Sequence, residues 1–177
     1  MNNALVMVAH PDDCVIFAYS FVYNHATWNW TIGYLTHDSV SLRALEMKNF
    51  WNKRNVATVF LEHTDNHLDI QTGSCSFDTD RAHQDILDLT ARYDIILTHD
   101  QHGDYGHLHH KFVNQSVLHH NVITFDKPQS SGVEFVGPDT AHSINELPIH
   151  GKIVSSFHGI KYCNRYNIPT HLFSFIK

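Results

Sequence analysis

Four times in succession, a short apolar, β-branched run in this chain gives way to an amphipathic stretch, and each run stops at histidines and carboxylates. Ala4–Ala9, Trp30–Thr36, Val56–Leu61 and Asp94–Thr98 read as buried strands, because they are too short and too β-branched for helices. Between and after them, Asp13 to about Ala26, Ser39 to about Arg54, Thr79–Arg92 and His107–His120 read as helices. Val122–Phe125 reads as a fifth strand. Ala82, Ile86 and Leu89 recur at i, i+4 and i+7, and Leu42, Leu45 and Met47 or Phe50 stand near helical spacing. Asp12 or Asp13 is placed to cap the first helix. Consecutive strand–helix pairs predict an α/β fold, a parallel sheet covered by helices.

The 177 residues suit one domain, 1–177, large enough to bury a core without disulfide or metal staples. A hydrophobic fraction of 42% and a charged fraction of 17% exclude a disordered chain. The net charge of −6 argues against a nucleic-acid backbone as partner. Cys14, Cys75 and Cys163 are odd in number and form no CxxC, so neither a disulfide framework nor a thiolate zinc site is expected. MNNALVMVAHPDD lacks a basic leader, and no apolar run nears the roughly 20 residues of a bilayer crossing. The expectation is a cytoplasmic-type protein with no transmembrane segment. Asp126–Pro148 reads as loop, Ile149–Phe157 as a short helix and His171–Ile176 as a last strand. Nothing in the sequence sets an oligomeric state.

Histidine is the anomaly: the chain has 17, against 12 Lys and Arg combined. The strand ends hold many of them, as His10-Pro-Asp12-Asp13, His37-Asp38, Glu62-His63-Thr64-Asp65 and His99-Asp100. Any one such ending could merely open a loop. In an open parallel sheet, however, the carboxyl ends share one edge where ligands bind, so four in a row predict a polar crevice. In the first motif, the residue before proline is pushed toward extended backbone, which keeps His10 at the strand end. Pro11 then turns the chain and presents two carboxylates at the helix start. Imidazole and carboxylate both suit zinc, and an Asp aimed elsewhere is left to take a proton. The second motif is Gly103-Asp104-Tyr105-Gly106-His107-Leu108-His109-His110. Its glycines permit a tight approach, and His107 and His110 lie three apart on one face. His119-His120 reads as solvated.

Ala9-His10-Pro11-Asp12-Asp13, with Gly106-His107-x-x-His110 about a hundred residues on, resembles the GlcNAc-phosphatidylinositol de-N-acetylase family, the PIG-L/LmbE-like zinc deacetylases. The resemblance runs from the N-terminus to about residue 125. It implies a Rossmann-like three-layer sandwich with a mostly parallel sheet. It also implies hydrolysis of the acetamide of an N-acetylglucosamine-type sugar or glycoconjugate. Carried over by motif position, it implies that His10, Asp13 and His110 bind zinc, that Asp12 is the general base, and that His107 assists the oxyanion or the leaving amine. Tyr105 matches a tyrosine that polarises the carbonyl, and Arg43 and Asp65 fall where the family keeps substrate-binding residues. His and carboxylate donors also suit Fe2+.

Two positions depart from the family pattern. Cys14 stands where Glu usually follows the second Asp, and His109 where Asp usually precedes the last histidine. An imidazole in place of that carboxylate is expected to lower the pKa of His107 and weaken it as an acid. The chemistry stands without the name. A metal with an open position lowers the pKa of water toward about 7, a carboxylate removes the proton, and nearby donors stabilise the oxyanion. The alternatives are a catalytically impaired metal- or sugar-binding domain and a zinc amidohydrolase for a non-sugar acylated amine. A nucleotide-binding Rossmann protein is disfavoured, because no Gly-x-Gly-x-x-Gly follows the first strand. Phe17, Tyr19, Phe21 and Tyr23 are expected to pack the first helix, and Trp28, Trp30 and Trp51 to serve as core or rim.

Overall fold

The computed structural model describes residues 2–118, 121–125 and 147. Five strands form one sheet: β1 (Asn3–Val8), β2 (Asn29–Thr36), β3 (Ala57–His63), β4 (Ile95–Thr98) and β5 (Val122–Thr124). Their order is β3-β2-β1-β4-β5 and every pairing is parallel. Helices α1 (Tyr19–Asn24), α2 (Leu42–Asn52), α3 (Asp69–Thr72), α4 (Thr79–Thr90) and α5 (Leu108–Ser116) complete the described elements. The α/β Rossmann-like sandwich expected from the sequence is the fold observed. The expected loop over 126–148 (apart from buried Leu147), the helix 149–157, the strand 171–176, His119-His120 and Cys163 lie outside the described residues.

β1 is central, and its period of two feeds both faces. Ala4, Val6 and Val8 join one core with Phe17, Met47 and Trp51, while Leu5, Met7 and Ala9 join another with Ile86, Leu89 and Val113. Helices α1 and α2 therefore lie on one face and α4 and α5 on the other, which makes three layers. Gly33 of β2 permits the second of these packings, because a Cβ there would meet Leu89 Cδ2 at 2.9 Å and Met7 Sδ at 3.0 Å.

Several elements differ from expectation. The first helix opens as a π-helical stretch, Cys14–Ala18, before α1. Neither aspartate caps it by side chain; Asp13 turns its carboxylate back to the His10 N–H at 2.7 Å. Helix α2 starts later than expected, behind a Ser41 cap, and buries Ala44, Met47, Phe50 and Trp51. Leu42 and Leu45 face solvent, so of the residues near helical spacing only Met47 and Phe50 are buried. Helix α4 buries Ala82, Ile86 and Leu89 as expected. The short α3 has no hydrophobic repeat and was not anticipated. Phe17, Tyr19, Phe21, Trp30 and Trp51 are buried as expected, whereas Tyr23 is exposed.

Candidate metal centre

Strand order reverses between β1 and β4, because β2 and β3 lie to one side and β5 to the other. The loops beyond that reversal leave in opposite directions and open a crevice at the carboxyl ends. His10 follows β1 and His99 follows β4, so both enter it. The β4–α5 loop bends through Gly103, Asp104 and Gly106, all with positive φ (71°, 59° and 96°). A Cβ on Gly103 would meet His107 O at 2.5 Å, so the loop closes only with glycine there. That turn starts α5 with His107 as its first cap and points His110 at His10.

Three atoms converge at the centre. His10 Nδ1 lies 3.2 Å from Asp13 Oδ2, His110 Nε2 lies 3.3 Å from the same oxygen, and the two ring nitrogens are 3.3 Å apart. Donors held about 2.0–2.1 Å from a tetrahedral zinc ion stand about 3.3–3.4 Å apart, so this triangle has the size of one face of such a site. The hydrogen-bond network fixes which atoms carry protons. Asp104 Oδ2 accepts from His110 Nδ1 at 2.8 Å, which leaves His110 Nε2 as a bare lone pair. Asp69 Oδ2 accepts from His109 Nε2 at 2.8 Å, so His109 Nδ1 accepts from His10 Nε2 at 3.1 Å, and His10 Nδ1 faces Asp13 Oδ2 as a bare lone pair once a cation sits between them. Three acceptors thus face one another, a donor set that fits a cation. Without one, a proton serves: although burial opposes its charge, His110 is pushed up to about 10 by Asp13 and Asp104. Asp13 is held well below the usual carboxylate range, burial notwithstanding, by His110 and His10.

Among the described residues, three His/carboxylate groups place their ligand atoms within 4.8 Å of one another: His10–His107–His110, His10–Asp65–His109 and Asp13–His99–His110. Their lone pairs differ. His99 Nε2 accepts the Ala9 N–H at 3.0 Å and its Nδ1–H goes to Asp104 at 2.6 Å, so both nitrogens are taken. His107 Nδ1 accepts the His109 N–H at 3.2 Å, which puts the proton of the neutral ring on Nε2. The His107 pKa is lowered, first by burial and then by His10 and His110. His109 also lowers it, as expected, but less than these. Below the centre, Phe17 packs edge-on against His99 and His110, and those two rings stack at 3.8 Å.

The other expected residues line the rim. Asp12 Oδ1 accepts from Arg43 Nη2 at 2.5 Å, and Arg43 Nη1 lies 2.9 Å from His37 Nε2. Asp65 lies 3.6 Å from His10 Nε2, 3.6 Å from His37 Nε2 and 3.8 Å from Arg43 Nη1. The Tyr105 ring stands 5.2 Å from His110 and 5.9 Å from His107. All eight expected residues therefore meet in one crevice. His63, by contrast, leaves it to pair with Asp85 of α4 at 3.0 Å, and Asp38 caps its own turn at Val40. Cys14 is buried against Tyr34 Oη and the Trp51 indole, and burial pushes its thiol up to about 12.

Sequence reasoning did not assign roles to Asp104, Asp69, His99 or His37. Asp104 had a signal, a carboxylate between two glycines inside the second motif. Asp69 had none.

The family model described as GlcNAc-PI de-N-acetylase, PIG-L, matches residues 5–121. The match covers more than half of the chain, and this protein belongs to that family. Among solved structures, it is similar to GalB, the 4-carboxy-2-hydroxymuconate hydratase of Pseudomonas putida KT2440, with a TM-score of 0.51 and 17% identity over 66% of this chain and 54% of that one. That likeness is one of fold, and the matched region spans about half the length of the hydratase. No curated protein sequence matches the chain. No helix among the described residues is long and apolar enough to cross a membrane.

Proposed function

We propose that this protein is a metal-dependent N-deacetylase, with zinc as the ion, that hydrolyses the acetamide of an N-acetylated amino sugar or its conjugate. The observation that carries the proposal is the triangle of His10 Nδ1, Asp13 Oδ2 and His110 Nε2, with sides of 3.2, 3.3 and 3.3 Å, beside the Asp12–Arg43 pair. His10, Asp13 and His110 would hold the ion, and Fe2+ suits the same donors. When bound, it supplies Lewis acidity to a water and to the amide carbonyl.

The chain's own residues cover the proton traffic. Arg43 holds Oδ1 of Asp12, so Oδ2 takes the proton of the attacking water. As the amide C–N bond breaks, Asp12 returns that proton to the nitrogen, and a free amine leaves together with acetic acid, which ionises to acetate in water. His107 donates Nε2–H to the developing oxyanion, the role its neutral ring suits, and Tyr105 donates its hydroxyl to it as well. Asp65 and Arg43 at the rim bind sugar hydroxyls.

One observation favours a second reading, a metal- and sugar-binding protein without turnover: His107, capped at Nδ1 by a backbone N–H, is poorly set to become an imidazolium acid. Purified protein decides between the two. The deacetylase holds about one zinc per chain and releases acetate from an N-acetylglucosamine conjugate, and Asp12→Asn slows release by about 10²–10⁴-fold while keeping the metal. Zinc and sugar binding with no acetate from any conjugate would sink the catalytic reading.

A further inference from the structure

We infer that Asp69 and His109 form an outer pair that locks His10 in the tautomer able to ligate, so that His109 is a positioning residue. The inference rests on the proposed metal site and adds to it the two residues that prepare its first histidine.

Asp69 is 2% exposed. Its Oδ2 accepts from the Ser76 N–H at 2.9 Å, from Ser76 Oγ at 3.1 Å and from His109 Nε2 at 2.8 Å. A carboxylate only accepts, so the proton between it and His109 sits on Nε2 of the ring. The neutral His109 ring then offers a lone pair at Nδ1, 3.1 Å from His10 Nε2. That nitrogen brings the proton, and His10 Nδ1, which faces Asp13 Oδ2 at 3.2 Å and His110 Nε2 at 3.3 Å, is the atom left to ligate. Asp104 does the same for His110 in one step, at 2.8 Å. Carboxylate support of a metal-bound histidine is a general device that fixes ring orientation and raises ligand basicity. Here Asp69 stands too far from His10 to act directly, and the imidazole of His109 spans the gap. Phe77 packs against the His109 ring with centroids 5.4 Å apart and holds its plane.

Two variants test this: Asp69→Asn, which keeps shape, and His109→Phe, which keeps a ring against Phe77 but removes both nitrogens. Zinc affinity is read by chelator competition, and the His10 tautomer by 15N imidazole spectra of the metal-free protein. We expect His10 to carry its proton on Nε2 in the natural protein and to become a tautomer mixture in both variants. Zinc affinity should fall about 10- to 100-fold. If His109→Phe does not fold, Asp69→Asn alone decides. Unchanged tautomer and unchanged affinity in a folded variant would overturn the inference. So would two zinc ions per natural chain falling to one in His109→Phe, because His109 Nδ1 would then be a ligand of a second ion at His10 and Asp65. A natural protein that binds no zinc overturns the proposed function instead, and the metal-free spectra still judge the tautomer lock.

Discussion

Strands β1 and β3 end alike in sequence, His10 with Asp12 and Asp13, His63 with Glu62 and Asp65, yet the two histidines have different fates. His10 meets Asp13, His109 and His110 beside the reversal of strand order, whereas His63 sits at the sheet edge and pairs with Asp85 on the helix packed there. A strand in the middle, flanked by loops that diverge, delivers its side chains into a crevice that other elements also line. An edge strand delivers them to the helix above it. The same residue type at the same end of a strand is therefore a ligand candidate in one place and a fastening in the other. Asp65 shows the complement, since it leaves the edge strand on a loop that folds back to His10.

The contrast can be broken by substitution. Asp13→Ala or His110→Ala should lower zinc affinity beyond the about 10–100-fold typical of outer partners, measured by chelator competition. Asp12→Asn should retain zinc and lower kcat by about 10²–10⁴-fold, the range for a positioned base, measured as acetate release. Gly33→Ala should cost about 1–3 kcal/mol through overpacking against Leu89, measured by denaturant unfolding, with zinc affinity unchanged. His63→Gln should leave zinc affinity untouched and cost about 0.5–1.5 kcal/mol of stability; a loss of zinc there would erase the distinction between centre and edge.

A pH titration sharpens it further. His37, between the two regions, is lowered from its ordinary 6.5 to about 4, by burial first and then by the Arg43 guanidinium. The unfolded chain binds this proton more readily than the folded one. The stabilising contribution is thus whole above pH 6.5 and drains away as pH falls toward about 4. NMR of the His37 ring should show that low midpoint, and Arg43→Met should raise it. An unshifted midpoint in the natural protein would mean that the rim is open to water.

The eight site residues expected from motif position all line the crevice, because each stands within a few residues of a strand end or helix start. At such places sequence position translates directly into spatial position. Asp104 lay inside a motif that drew attention for its glycines, and its own role emerged only when two imidazoles were seen to share its oxygen. Helix α2 was legible as a helix but only partly in its buried stripe, since Leu42 and Leu45 fit the spacing as well as the residues that packed.

From the chain alone came the alternation of strands and helices, the two motifs and the family they resemble, all of them local properties of backbone preference and residue spacing. The tertiary structure alone decided which lone pairs remain bare. His10, His99, His107, His109 and His110 are chemically identical rings until neighbours from distant segments claim one nitrogen or the other. Asp69 reaches its place through a loop without any periodic signal, so no reading of its neighbours in sequence could pair it with His109, forty residues away.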